Sequence, residues 1–285
     1  MPSLPGSGPQ LAWTLEPGVV TAATVAGLLF LRAFVQLRRR GRADHAPWSR
    51  LVLFAAGITA VVLPLVSPLD PIADRYLLSA HMLEHVLVGD AAPALLLLAL
   101  RGPLLFFFLP ADVLAPLAGL QPLRKLLGFL LRPRVSVAVW ALVMAAWHIP
   151  AAYDYTLTHQ TAHNLEHACF FVAGLLVWTQ LIDPARQGQL SRGRRLGVAA
   201  ALLSLGTVLS DVLIFSFHPL YPSYAEQRDR LLGLSPVRDQ QLAGIVMTAD
   251  QLLSLGTCCL FLLLPILRRP RRSPSRLGPV RERPA

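Results

Sequence analysis

Apolar residues fall into seven stretches, each near the length of about 20 residues that a helix needs to cross a bilayer. They run roughly over 18–37, 50–66, 76–99, 135–152, 160–182, 196–217 and 240–267. Polar punctuation separates them. Arg38-Arg39-Arg40 stops the first, and the Pro/Asp-rich SPLDP stops the second. Arg101-Gly102-Pro103 ends the third, and Trp147-His148-Ile149-Pro150 ends the fourth. The pattern predicts an all-α fold: a polytopic membrane helix bundle of seven transmembrane helices, one membrane domain over 18–267. Residues 104–131 fit less well. LLFFFLP is apolar but short, and Pro116 and Pro122 break the rest of the segment. That suits an interfacial segment lying on the cytoplasmic membrane surface, since an eighth span would invert everything downstream.

Basic residues orient the bundle, because they concentrate on the cytoplasmic side. With the N-terminus outside, 22 of the 26 Lys and Arg fall on the inner side. Arg75, Arg228, Arg230 and Arg238 are the four outer ones. The C-terminus is then cytoplasmic. Residues 1–17 form an outer tail without the basic segment of a signal peptide. Residues 268–285 form a basic tail, read as disordered and within reach of anionic lipid.

Composition agrees. Of 285 residues, 54% are hydrophobic and 15% charged, with a mean hydropathy of +0.52. A formal charge of +10 would suggest nucleic acid in a soluble protein. Here the arginines sit in loops between spans, so the charge is read as orientation and no nucleic-acid partner is expected. Cys169, Cys258 and Cys259 lie in apolar runs with no C-x-x-C spacing, which excludes a disulfide framework. A multi-pass protein of a bacterial plasma membrane is the expected class.

Two short motifs carry the chemistry. His81-Met82-Leu83-Glu84-His85 and His163-Asn164-Leu165-Glu166-His167 both read H-x-x-E-H. Positions i, i+3 and i+4 of a helix share one face, so each copy presents two imidazoles and a carboxylate together. The two histidines of a copy stand about 6 Å apart along the axis. In the topology above, both copies lie in outer turns, and His148, His159 and His218 fall on the same side. Seven of the eight histidines gather there, leaving His45 inside. Acids follow: Glu84, Asp90 and Glu166 lie within spans, and Asp211 and Asp250 in the outer halves of theirs. Ionisable groups in a span are costly and face a partner or the bundle interior.

Neutral imidazole suits zinc, copper and iron, and thioether sulfur suits copper(I). Met82 adjoins His81, Met144 lies one turn from His148, and Met247 lies one turn before Asp250. The set leans to copper. His81, His85, His163 and His167 are the first candidate ligands, and His148 and Met247 the second. Glu84 and Glu166, with Asp90, Asp211 and Asp250, would orient imidazoles or balance charge. Rival chemistries remain open. H-x-x-E-H is also an inverzincin pattern. Facing histidines can hold a haem, and intramembrane acids suit proton-coupled transport. The sequence shows no nucleotide loop or nucleophile elbow, and an enzyme is not expected. The 13-residue interval from Pro68 to His81 recurs from Pro150 to His163, a hint of a parallel two-span repeat.

HMLEHVLVGDAAPALLLLALRGP resembles the third-span signature of the CtaG family of cytochrome c oxidase assembly factors, the membrane-integral kind associated with caa-type oxidases. WHIPAAYDYTL and then HNLEHACFFVAGLLVW resemble its next two motifs, and LYPSYAEQ and DQQLAGIVMTAD its last loop and span. The matches are in order over roughly 60–265. The resemblance implies seven spans and an accessory role in maturing a haem–copper oxidase, whose subunits would be the partners. Copper is the cargo it suggests. The matching polar positions add Trp147, Tyr153, Asp154, Asp239 and Gln240 to the residues already named.

Overall fold

In the computed structural model, residues 12–14 and 16–267 are described. The expected basic tail 268–285 lies outside them, as does most of the tail 1–17. All regular structure among the described residues is helical. The helices are α1 (Pro17–Arg39), α2 (Trp48–Val66), α3 (Leu69–Arg75), α4 (Leu78–Leu100), α5 (Pro103–Phe108), α6 (Ala111–Gly119), α7 (Gln121–Leu130), α8 (Pro133–Trp147), α9 (Pro150–Thr156), α10 (Gln160–Ile182), α11 (Arg192–Phe215), α12 (Pro222–Ala225) and α13 (Pro236–Leu267).

Six of these are long and apolar enough to cross a membrane: α1, α2 with the turn before it, α4, α10, α11 and α13. A seventh span arises when α7 and α8 count as one, bent by 78°. The helix expected over 135–152 is therefore corrected. α8 holds 15 residues, about 22 Å at 1.5 Å per residue, against a hydrocarbon core of about 30 Å. The break falls before Pro150. Proline lacks an N–H and forces its predecessor out of the helical region, and Ile149 sits at ψ 124. α9 then restarts with Pro150 at its first position. Of the segment 104–131, α6 and α7 bury no residue at all. α7 sets Arg124 and Lys125 beside exposed Leu126, Leu127 and Phe129, the composition of a surface-lying helix.

α4 is the centre of the bundle, packed against α2, α10 and α13. Its middle turn, Leu87–Ala91, is a π-turn, and α13 carries another at Leu252–Gly256. Such turns admit an extra residue and are frequent at functional sites. The α4–α10 crossing is close because both helices offer glycine there. A Cβ on Gly174 would stand 2.0 Å from the carbonyl oxygen of Gly89, so only glycine permits this approach. The crossing fixes the two H-x-x-E-H faces against each other. α1 stands at the periphery, with Val25, Leu28, Leu31 and Val35 exposed.

Candidate metal centre

His81 lies in the first turns of α4, and the start of that helix is held from a distant part of the chain. Asp239, on α13, accepts the Leu78 N–H at 2.7 Å, the Ser79 N–H at 3.1 Å and the Ser79 hydroxyl at 2.5 Å. A helix N-terminus leaves its first amides without partners, and the carboxylate supplies them. Asp239 thus serves the site by holding the start of α4.

The two motifs face one another. Ring centroids lie 4.3 Å apart for His81 and His85, and 4.4 Å for His163 and His167. Between helices, His81 stands 5.4 Å from His163 and 6.3 Å from His167, and His85 stands 5.2 Å from His167. The Nε2 atoms of His81 and His85 are 2.9 Å apart. Glu166 Oε1 lies 3.8 Å from His85 Nε2. All four histidines are buried, and Glu84 and Glu166 are fully so.

Three residues that the sequence did not single out as ligands complete the surroundings. Asp74, on α3, places Oδ1 3.4 Å from His163 Nε2 and 3.7 Å from His81 Nδ1. Tyr224, on α12, donates its proton to the Ala73 carbonyl at 2.6 Å. Its oxygen lies 3.2 Å from His81 Nδ1, so Tyr224 accepts there and Nδ1 carries the hydrogen. Tyr153 supplies a further hydroxyl, 3.3 Å from that of Tyr224. Asp70 and Asp74 sit four residues apart on α3, and that spacing directly before His81 was the signal available. Burial, then neighbouring Asp74, pushes the Asp70 carboxyl up to about 6. Burial does the same to Asp74, against the opposing charge of Arg75.

The remaining candidates lie elsewhere. His148 ends α8, its Nδ1 2.8 Å from the Met144 carbonyl and its ring 6.1 Å from Phe170. Phe170 in turn packs 4.6 Å from His85, so His148 stands one ring behind the cluster. Met247 and Met82 pack in an apolar cluster with Leu78, Leu213 and Ala243, and Met144 packs against another. Asp90 accepts the Trp178 indole N–H at 2.8 Å and lies against Asp250, a separate polar contact between the two π-turn helices. Asp211 is half-buried on α11, and Asp154 on α9. Gln240 binds the Leu220 amide at 2.7 Å. His159 and His218 are exposed.

Does a cation fit? Two donor groups meet geometric limits: His81, His163 and His167, and His81, His85 and Glu166, each with ligand atoms within 4.8 Å of one another. Metal–nitrogen bonds near 2.0–2.1 Å keep two ligands within about 4.2 Å, so closure takes small side-chain shifts. Buried polar atoms almost always find partners. Here both oxygens of Glu84 and of Glu166, Asp74 Oδ1, His85 Nδ1, His163 Nε2 and His167 Nε2 have no hydrogen bond. Leaving such groups unpaired is costly, and a bound cation would satisfy several at once. A cavity of about 490 Å³ between α1, α2, α4 and α10 reaches His163 and His167. Its polar lining among the described residues is Glu16, Asp70, Gln160, Asn164 and those two histidines, with no Lys or Arg.

Fold and site together define a polytopic helical membrane protein with a buried polyhistidine centre near one end of the bundle. The chain matches the family described as cytochrome c oxidase caa3 assembly factor over residues 28–269. It belongs to that family, whose members are assembly factors for cytochrome c oxidase. Comparison with curated proteins and with solved structures gave no match.

Proposed function

We propose that this protein holds a copper ion on His81, His85, His163 and His167 and delivers it to a haem–copper oxidase during assembly. The observation that carries this reading is the convergence of two H-x-x-E-H faces into one buried cluster with unpartnered carboxylates at Glu84 and Glu166. Imidazole-rich sites suit copper, and the family's role supplies a copper-containing client. Haem fits less well. Among the described residues the cavity offers haem propionates no basic partner. The role is handling rather than catalysis. The basic-residue distribution supports an outer-face position in a bacterial plasma membrane for the cluster, which a cytoplasm-only reporter fused after residue 267 checks by being active.

The test is the double change His81→Ala with His163→Ala, which removes one imidazole from each helix. Insertion depends on the apolar runs and arginine loops, which are untouched. Cells should keep normal levels of the protein and lose oxidase activity and its copper. Normal copper loading with both imidazoles gone would reject the reading.

A further inference from the structure

Resting on the copper reading above, we propose that the cluster is two overlapping stations for one copper ion. A cavity-side station comprises His81, His163 and His167, and an inner station comprises His81, His85 and Glu166. The ion passes between them by exchanging two ligands while His81 keeps hold.

The argument starts at His81, the member common to both donor groups. No larger group meets the 4.8 Å limit among the described residues, so the five donors do not form one shell. A neutral imidazole has one lone pair, whichever of its nitrogens carries the hydrogen. One lone pair ligates one ion. The two groups are alternatives and cannot be filled together.

Their surroundings give the pair a direction. His163 and His167 line the cavity, whereas His85 and Glu166 do not. The ligands of the cavity-side station are imidazoles alone, with the Asp74 carboxyl 3.4 Å from His163 Nε2. The inner station adds the Glu166 carboxyl, with both oxygens unpartnered. A cation arriving through the cavity thus meets the His163 and His167 imidazoles first and the Glu166 carboxyl second. Sharing His81 means that it is never stripped of protein ligands in passing.

The experiment titrates copper(I) into the full-length protein in lipid nanodiscs, against a competing chelator. The unaltered protein should bind one ion. Glu166→Gln and His163→Gln should each still bind one, on the station left intact, and the two combined should bind none. Release to excess chelator should be about tenfold faster from Glu166→Gln, where the ion sits beside the cavity, than from His163→Gln. X-ray absorption of the unaltered protein should count three nitrogen or oxygen neighbours, a measurement independent of how the variants fold. Two ions per chain would overturn the shared lone pair. Four or more neighbours, or loss of all binding in either folded single variant, would overturn the division into stations. No binding by the unaltered protein would reject the copper reading itself.

Discussion

Replacing Asp239 by alanine should damage the site without touching a candidate ligand. Asp239 is 4% exposed and accepts three hydrogen bonds at the start of α4, two of them from backbone amides. The Ser79 hydroxyl can turn to another acceptor, but the Leu78 and Ser79 amides cannot. A hydrogen bond to a charged group contributes about 1.5–3 kcal/mol, so two such amides put the loss at about 3–6 kcal/mol. That is a large share of the about 5–15 kcal/mol that holds a typical domain folded. The change Asp239→Asn would keep one acceptor oxygen and turn an NH2 toward the other donor, losing about half as much. The assay is thermal unfolding in detergent, with bound copper measured on the same samples. Because His81 follows Leu78 by one turn, copper retention should fall in the same order, alanine below asparagine below the unaltered protein. An Asp239→Ala variant within about 0.5 kcal/mol of the unaltered protein would refute the capping account.

Gly174→Ala should be destabilising by up to about 3 kcal/mol, since its Cβ would lie 2.0 Å from the Gly89 carbonyl oxygen. Gly27→Ala, with nothing within 4 Å, is the control, and equal melting of the two would contradict the close crossing. Asp70 gives a pH dependence. Its carboxyl titrates at about 6 when folded and near 3.9 when unfolded, so the folded state keeps its proton longer. Its contribution to stability is therefore greatest below about pH 4 and is lost as pH rises through about 6. Asp70→Asn should melt with a smaller drop between pH 4.5 and pH 7 than the unaltered protein, whereas parallel profiles would remove Asp70 from the account.

The sequence by itself determined where most spans lie, because a bilayer demands a continuous apolar run of set length and helices must satisfy their own amides. The span read as 160–182 is the helix Gln160–Ile182. It also determined that His81, Glu84 and His85 share a face, as do His163, Glu166 and His167, since helix geometry is local. The break before Pro150 is legible in the proline itself, although the apolar run around it reads as one longer span. What only the tertiary structure decided is which faces meet. The Gly89–Gly174 approach brings α4 and α10 to imidazole contact, and neither glycine declares its partner in sequence. Asp239 and Leu78 are 161 residues apart, and Tyr224 and His81 are 143 apart. Asp74 reaches His163 from a different helix, while Met82, adjacent to His81 in sequence, points into an apolar cluster instead. Periodicity fixes the direction of a side chain about its own helix axis. What stands opposite that side chain depends on helix neighbours and crossing distances, which are set by packing over the whole bundle.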